Sequence, residues 1–480
     1  MTRTARRTLA VLLALGLLAA ACGDDDTTDA SPTTDAPADE EDAAEGEGED
    51  EGDGEGVTHR VPGDFDTIQA AVDAAAPGDL VLIEPGTYEE AVDVTIEDLT
   101  IRGLDRNEVV LDGGFELENG IRVLADGVAV ENMTAQNYTT NGFFWTGVTG
   151  YRGSYLTAYR NGDYGVYAFD SVKGQLEHIY ASGSPDAGVY IGQCYPCETV
   201  ITDVISEYNG LGYSGTNSGG DLLIVNSTWR FNRAGIVPNS GSYELCYPGR
   251  ETTIVGNTVY GNSQPDTPAI DVALLAMGNG ILVAGSNRNV IERNLVFDHE
   301  RTGIGLVPFP EEEANDVVPP EEDWDRPCEE TRNDPLPDLD PEALALVLWD
   351  PVGNSITGNV VSGSGLGDLA LGSLQPDLAS LRNCFSGNTF ETTAPEQLEA
   401  LAPCEGDPTS TDWSAGALDL GALIASERPP AVDYEDAPTP EPTDQPNMPD
   451  AETAPAQPAT NVPFSVDLDA IEVPERPEGT

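Results

Sequence analysis

A glycine returns at regular intervals through the middle of the chain, each time just before a short run of apolar and aromatic residues. The first three runs read GFFW, GVYAF and GVYIG, and the later ones begin GIV, GILV and GIG. The interval is 23 residues and lengthens by one between Gly188 and Gly212. Such short alternating runs predict β-strands, and a fixed period predicts a repeat architecture. The markers are Gly142, Gly165, Gly188, Gly212, Gly235, Gly280 and Gly303.

A period of this length is typical of one coil of a parallel β-helix, in which three short strands and three turns bring the chain back beside its start. Successive coils stack at the strand spacing of roughly 4.8 Å. Residues one period apart therefore become neighbours on one face. We predict an all-β chain whose residues 57–405 form a single-stranded parallel β-helix, interrupted by an acidic, proline-rich insertion at 308–342 that carries Trp324 and Cys328.

The segment before the repeats reads THRVPGDFDTIQAAVDAAAPGDLVLIEPGTYEEAVDV. It predicts an amphipathic helix over 67–76, a Pro-Gly break, a buried strand over 80–83 and a Pro-Gly turn. This opening resembles the pectin-lyase-like right-handed β-helix families, among them pectin methylesterases and NosD-like carbohydrate-binding and sugar-hydrolase proteins. The resemblance spans roughly residues 60–390 and implies a right-handed β-helix whose first coil is covered by the helix.

The resemblance does not extend to a known activity. The Gln-Ala-Val-Ala segment of pectin methylesterases and the Gly-His-Gly of polygalacturonases are missing. The nearest text to the Asp-Pro-His-Asp of mannuronan epimerases is Asp298-His299-Glu300.

Two further patterns concern the turns and the C-terminus. Asparagine recurs in the turns and predicts ladders of hydrogen-bonded side chains, with Asn257, Asn262, Asn294 and Asn359 as members. Residues 406–480 are rich in proline and acidic residues and are predicted to be mostly disordered. Within them, VPFSVDLDAIEVP is a candidate docking element.

The N-terminus predicts export and a membrane anchor. Three arginines precede an apolar run over 9–21 that ends in LLAAAC, which is a signal peptide, too short for a comfortable membrane span. The ending resembles a bacterial lipobox and implies a lipid on Cys22, with ordinary signal-peptidase cleavage as the alternative. Residues 24–56 contain 16 acidic and no basic residues and predict a disordered tether. We expect a monomer, lipid-anchored and facing the extracellular side.

The charge of the chain limits its ligands, and its cysteines predict disulfides. The chain has 85 acidic and 21 basic residues, so a phosphate backbone would be repelled and nucleic acid is not expected as a ligand. Six cysteines remain after Cys22, an even set that predicts disulfides in an exported protein. We favour Cys194 with Cys197, Cys246 with Cys328 and Cys384 with Cys404. Zinc at CYPC is the alternative, but no second CxxC follows.

An aromatic column follows from the period. Phe144, Tyr167, Tyr190 and Tyr213 lie 23 residues apart, and alternation turns their neighbours inward, which predicts an exposed ribbon of rings. A sugar chain stacks on such a surface, so we expect these residues to bind substrate. The alternative is a ladder of rings that only stabilises stacked strands.

A polar column lies four residues earlier, at Asp163, Asp186, Asn209 and Asn232. Two carboxylates one coil apart predict either an acid and base pair or a cation such as Ca²⁺ between them. Otherwise they are ordinary turn residues bonded to their own backbone. We expect no other cofactor and no other metal.

Basic residues are few in these coils. Arg152, Arg160 and Lys173 are candidates for substrate binding, because a uronate carboxylate needs a cation. For Arg160 the alternative is a salt bridge to Asp163. For His178 a structural role is favoured over a catalytic one.

These observations favour a cell-surface β-helix lipoprotein that binds an extended polysaccharide, either without catalysis or in a structural role. The alternative is an enzyme acting on polysaccharide, a uronate lyase, epimerase or glycosidase that uses Asp163 and Asp186 from adjacent coils.

Overall fold

A computed structural model describes residues 56–335, 339–460 and 465–480. The signal peptide, Cys22 and nearly all of the acidic tether fall outside the described residues, so lipidation and tethering stay predictions.

Two parallel sheets run along the repeats. In each of them, a strand pairs in parallel with the equivalent strand of the next coil, as the period predicts. The eleven-stranded sheet comprises Val92–Val94, Asn119–Val123, Asn141–Thr146, Tyr164–Phe169, Ala187–Gly192, Leu211–Thr216, Ala234–Asn239, Ile281–Ala284, Thr302–Val307, Gly367–Leu371 and Thr393–Ala394.

The twenty-stranded sheet contributes the other strands of each coil, in two rows. The first row is Thr58–Val61, Leu80–Ile83, Thr100–Gly103, Val128–Gln136, Thr149–Tyr159, Val172–Glu177, Thr199–Thr202, Leu222–Val225, Thr252–Val255, Val290–Glu292, Ser355–Thr357 and Cys384–Ser386. The second row is Gly86–Tyr88, Val109–Asp112, Tyr180–Ser182, Ile205–Glu207, Thr228–Arg230, Thr258–Tyr260, Leu295–His299 and Val360–Ser364, joined by the distal halves of Val128–Gln136 and Thr149–Tyr159.

The interior is a column of apolar side chains between the sheets. On the eleven-stranded sheet, one inward position is filled in successive coils by Phe143, Val166, Val189, Tyr213, Ile236, Ile281, Ile304 and Leu369, all fully buried. Because every coil adds to the same continuous core, stability comes from contacts between neighbouring coils.

The coils are not all of one length. Ile236 pairs with Ile281, so the stretch between these residues is a single coil with an insertion that carries the helix Asp271–Ala276. A second insertion forms an antiparallel hairpin from Phe309–Glu312 and Leu346–Trp349. Side chains of both insertions pack on the outer face of the eleven-stranded sheet, which leaves that face open only in the earlier coils.

Helices are short. Ile68–Ala74 begins after Thr67, whose side chain accepts a hydrogen bond from the backbone of Ala70, and it buries Ile68, Ala71 and Val72 in the main core. The other helices of the described residues are Asp271–Ala276, Cys328–Thr331, Pro341–Leu344, Leu398–Leu401 and Leu420–Ala425, with 3-10 turns at Glu321–Asp323, Leu378–Leu381 and Leu468–Ala470.

The predicted asparagine ladders are confirmed. The amide N–H of Asn257 donates to Oδ1 of Asn294 at 3.0 Å, and that of Asn294 donates to Oδ1 of Asn359 at 2.9 Å. Asn262 belongs to a second ladder, in which it accepts from the backbone of Asn232. These side chains are fully buried, so each satisfies a turn backbone that water does not reach.

The C-terminal strap, residues 427–480, corrects the prediction of a mostly disordered tail. Its described residues lie along the coils, and arginine side chains donate to its carbonyl groups. Arg102, for example, donates to the carbonyls of Ala451, Ala454 and Pro455. Further along, Ile471 of the candidate docking element packs against Val225 and Val255. A proline-rich segment has few backbone donors, so its carbonyls suit the many donors of arginine.

The three disulfides are those that the sequence favours, Cys194–Cys197, Cys246–Cys328 and Cys384–Cys404. Cys246–Cys328 ties the second insertion to the coil before it. Three disulfides indicate that the chain folds outside the reducing cytoplasm. Among the described residues, no helix is both long and apolar enough to cross a membrane.

Candidate functional site

The open part of the eleven-stranded sheet carries an outward column of polar and aromatic side chains. Register places Asp93 beside Arg122, Arg122 beside Phe144, and Phe144 beside Tyr167. The rings of Phe144 and Tyr167 stack with centroids 4.5 Å apart and planes 6° from parallel. Tyr164 lies against Tyr167 at 4.4 Å. All three residues are partly exposed, so they form a short aromatic platform.

The predicted ribbon of four exposed rings is wrong in its second half. Tyr190 follows Tyr167 in the column but is only 2% exposed, because Glu244 and its loop cover it. Tyr213 points into the core, where it is fully buried against Trp229. The cause is the one-residue lengthening of that coil, which pairs Tyr213 with Val189. In a strand, a slip of one residue turns a side chain to the opposite face.

The lengthened coil also separates the polar column into two parts. Asp163 and Asp186 are neighbours, since the amide of Asp186 donates to the carbonyl of Asp163 at 3.2 Å. Asn209 instead accepts from the backbone of Ser184 and donates its own amide N–H to Asn232, both within an internal ladder. Asp163 and Asp186 therefore lie side by side in adjacent coils, as the period predicts, whereas the two asparagines are structural.

Two carboxyls and two phenols form a connected chain at this site. The hydroxyl of Tyr164 donates to Oδ2 of Asp186 at 2.6 Å, and that of Tyr190 donates to Oε1 of Glu244. The two rings touch, with centroids 4.7 Å apart. Gly192 leaves the space for this arrangement, because a Cβ there would lie 2.3 Å from the Tyr190 ring.

Burial raises the pKa of each carboxyl in this group. The pKa of Asp163 rises to about 6 through burial alone. Burial raises the pKa of Asp186 to about 7, the charge of Asp163 adds to the rise, and the Tyr164 hydrogen bond opposes it. Burial and the charge of Asp186 raise the pKa of Glu244 to about 8. Near neutral pH the site therefore contains both protonated and charged carboxyls.

Glu244, Tyr164 and Tyr190 as a connected group were not found by sequence reasoning. Glu244 comes from a loop in the lengthened coil after Gly235, and the only signal of that loop was the doubled interval from Gly235 to Gly280. A doubled interval marks an insertion, but it does not say which neighbouring coil the insertion covers.

The basic candidates lie elsewhere. Arg152 belongs to the twenty-stranded sheet, where its Nε donates to Glu131 at 2.9 Å and another nitrogen contacts Glu177. Arg160 donates to the carbonyls of Tyr434 and Glu435 in the strap. The alternative salt bridge between Arg160 and Asp163 is therefore not formed.

Lys173 and His178 are also outside the cluster. The backbone of Lys173 donates to the Cys197 carbonyl, at the turn of the CYPC disulfide, and the His178 ring packs on Tyr155 with centroids 4.3 Å apart. Among the residues that the structure describes, no arginine, lysine or histidine pairs with Asp163, Asp186 or Glu244. No group of three or more metal-ligating side chains was found in the same described ranges.

The chain matches one family model, which describes its fold. The family described as "Right handed beta helix region" matches residues 141–308, which confirms the predicted right-handed parallel β-helix. No curated protein matches the chain in sequence.

Several solved structures are similar. The A-module of the Azotobacter vinelandii mannuronan C-5 epimerase AlgE4 is 15% identical over 68% of this chain and 93% of its own, with a TM-score of 0.38. The periplasmic alginate epimerase AlgG is 13% identical over 65% and 77%, with a TM-score of 0.36. Pectate lyase Pel9A is 13% identical over 68% and 72%, with a TM-score of 0.37. Similarities of this size carry no argument about function.

Proposed function

We propose that this right-handed parallel β-helix binds an extended polysaccharide along the open outer face of its eleven-stranded sheet. The observation that carries the proposal is the aromatic platform of Phe144, Tyr167 and Tyr164, which ends at the Asp163–Asp186 pair. Aromatic rings offer flat apolar faces, and carboxyls at their edge offer donors and acceptors for hydroxyl groups. Flat stacking beside hydrogen-bonding groups suits a sugar chain.

The charges of the site favour a neutral polysaccharide. Asp163, Asp186 and Glu244 supply negative charge or protonated carboxyls, and none of them pairs with a basic side chain in the described parts of the chain. A uronate carboxylate would meet repulsion here unless a cation such as Ca²⁺ came with it. The expected contacts from Arg152, Arg160 and Lys173 are not part of this proposal. The side chains of Arg152 and Arg160 are engaged by glutamates and by the strap, and Lys173 lies on the twenty-stranded sheet.

The cellular setting of this proposal follows from the N-terminal sequence. A lipid on Cys22 and an acidic tether over 23–56 would hold the β-helix outside the membrane as a monomer, where it would meet polysaccharide of the cell surface or the medium.

Affinity gel electrophoresis against a panel of neutral and uronate polysaccharides tests the binding function. We expect wild type to be retarded by at least one neutral polymer and Tyr167→Ala to lose most of that retardation. Tyr208→Ala is the matched control, because Tyr208 also stacks on a partly exposed ring, Phe231, at 5.6 Å, and is not part of the platform. Equal retardation of Tyr167→Ala and wild type would show that the platform does not bind the polysaccharide.

A second function, glycoside hydrolysis, is favoured by one specific observation: the raised pKa values of two adjacent carboxyls. With a pKa of about 7, Asp186 is largely protonated at mildly acidic pH and can donate a proton to a glycosidic oxygen. Asp163, with a pKa of about 6, ionises first and can act as the nucleophile or base. The pair therefore divides into an acid and a base as retaining and inverting glycosidases require.

Turnover measurements separate this enzyme from a binding protein. If the pair is catalytic, Asp163→Asn and Asp186→Asn each abolish release of reducing ends while retardation in the gel persists. Asp221→Asn, an exposed carboxylate of another coil, should leave turnover unchanged. If wild type binds a polymer but turns over none of the polymers that it binds, hydrolysis is excluded and polysaccharide binding is the remaining function. A lyase or epimerase would instead act on a uronate polymer, so turnover of the uronate polymers is measured with and without added Ca²⁺.

A further inference from the structure

An apolar cavity lies on the covered outer face of the eleven-stranded sheet, away from the platform. Its walls come from the sheet, from the helix Asp271–Ala276, from the insertion hairpin and from the helix Leu420–Ala425. The lining includes Val237, Leu275, Leu282, Phe309, Leu348 and Leu423. Nearly the whole wall is hydrocarbon, so a ligand here would need an apolar body.

Two arginines, Arg301 and Arg428, also line this cavity. Arg301 donates to the carbonyl of Leu275 at 3.3 Å and to the hydroxyl of Ser426 at 2.8 Å. Arg428 donates to the carbonyls of Leu423 and Ile424, both at 3.2 Å. Within the described ranges of the chain, neither guanidinium forms an ion pair with a carboxylate, although acidic residues outnumber basic ones 85 to 21.

The arginine positions are electrostatically unfavourable as they stand. Burial lowers the pKa of both guanidinium groups, and the charge of Arg428 lowers that of Arg301 further. Glu300 acts in the opposite direction on Arg301 but is exposed. In addition, Nε of Arg428 is buried without a hydrogen-bond partner. Two neighbouring cations and a free buried donor are the features of a site that awaits an anion.

The other polar groups of the wall need no ligand. Oδ1 of Asn279 accepts from the backbone and the hydroxyl of Thr302, at 3.2 and 2.7 Å, and its amide donates to the Ala276 carbonyl. The guanidinium groups of Arg301 and Arg428 are therefore the polar groups of the cavity wall that lack a counter-charge among the described residues, whereas the rest of the wall is apolar.

We propose that this cavity binds an amphipathic monoanion, with its hydrocarbon chain among the leucines and its anionic head at Arg301 and Arg428. Long-chain carboxylates have this chemistry, in which burial of the chain supplies most of the affinity and the arginines select the charge. The site is independent of the polysaccharide platform.

Titration calorimetry of the full chain with two probes of equal chain length tests the proposal. Dodecanoate and undecyltrimethylammonium, both kept below their micellar concentrations, carry the same undecyl chain and differ only in the head group. We expect dodecanoate to bind wild type with one site and at least tenfold more tightly than the ammonium. Similar affinity for both probes, or binding of neither because another segment of the chain fills the cavity, would overturn the proposal.

Variants then locate the head group. Arg428→Gln should weaken dodecanoate binding about tenfold and leave the ammonium unchanged. Arg382→Gln is the matched control, since Arg382 is exposed and pairs with Glu321 outside the cavity, and it should bind dodecanoate as wild type does. An Arg428→Gln protein that binds dodecanoate with wild-type affinity would contradict the assigned head-group position. The comparison of the two probes on wild type stands even where a variant folds poorly.

Discussion

Tyr164 and Asp186, which lie in successive coils, are joined by a 2.6 Å hydrogen bond from the phenol to Oδ2 of the carboxylate. The bond favours the charged form of a carboxyl that burial pushes toward its neutral form. Tyr164 thus contributes a ring face to the aromatic platform and also opposes the rise in the pKa of Asp186 that burial causes.

Removing that hydroxyl should move the titration of Asp186. In Tyr164→Phe we expect the pKa of Asp186 to rise above its wild-type value of about 7, because the donor that stabilises the charge is gone. In Asp163→Asn it should fall, because a neighbouring negative charge is gone. Carbon-detected NMR titration of the side-chain carboxyls measures both shifts. A Tyr164→Phe protein whose Asp186 titrates at lower pH than wild type would contradict this account.

The same carboxyls predict how stability depends on pH. Asp163, Asp186 and Glu244 have folded-state pKa values of about 6, 7 and 8, above their ordinary values of 3.8, 3.8 and 4.5. The folded chain therefore binds more protons than the unfolded chain between these limits. Their contribution is fully present below about pH 4 and is lost as the pH rises through 6 to 8.

Urea unfolding at several pH values measures this contribution. Between pH 5 and pH 8, the free energy of unfolding of wild type should fall more steeply than that of the double variant Asp163→Asn with Asp186→Asn. Asp221→Asn is the control and should retain the wild-type slope. Parallel slopes for the double variant and wild type would show that these groups do not titrate as described.

The ion pair between Arg102 and Glu131 should be a large stability determinant. Both side chains have no solvent exposure, and Nη2 lies 2.7 Å from Oε2. Glu131→Gln keeps the shape but leaves the Arg102 guanidinium buried without a counter-charge and weakens the contact with Arg152, which together should cost about 3–5 kcal/mol. Asp93→Asn, which breaks the exposed pair with Arg122, should cost less than about 1 kcal/mol. Chemical denaturation compares the two, and equal losses would refute the distinction.

Loss of a ladder asparagine should also be costly. Asn294→Ala removes the acceptor of the Asn257 amide N–H and the donor to the carbonyl of Ile254 in the preceding coil, both of which are buried. Two unsatisfied backbone groups should lower the free energy of unfolding by about 2–4 kcal/mol. Asn315→Ala serves as the control, because Asn315 lies in the second insertion outside the ladders. The same denaturation experiment checks both, and a loss below 1 kcal/mol in Asn294→Ala would contradict the ladder's role.

Local periodicity was enough for the parts of the fold that repeat. The spacing of Gly142 and Gly165 equals the register that pairs Phe143 with Val166, and the asparagines of the turns form the expected ladders. The favoured disulfide pairing rested on the CYPC spacing and on the two cysteines that flank the end of the repeats, with Cys246 and Cys328 as the remaining pair. The candidate Asp163–Asp186 pair was found in the same way, since both residues precede the lengthened coil.

Features that depend on contacts between distant segments could not be predicted in this way. Glu244 reaches Tyr190 across 54 positions, and the strap reaches Arg102 from positions near 451. Neither segment carries a periodic signal that identifies its partner.

The sequence by itself therefore determined the coil, its approximate period and the residues that stand one coil apart. Only the tertiary structure decided which face each residue takes after a coil changes length, as with Tyr213, and what covers the outer faces. The physical reason is that strand side chains alternate every residue, so a single insertion inverts the face. The position of a covering segment, such as the loop of Glu244 or the strap, depends instead on which apolar surface it can bury and which unpaired donors and carbonyls it can satisfy. These groups are spread over the whole surface of the β-helix.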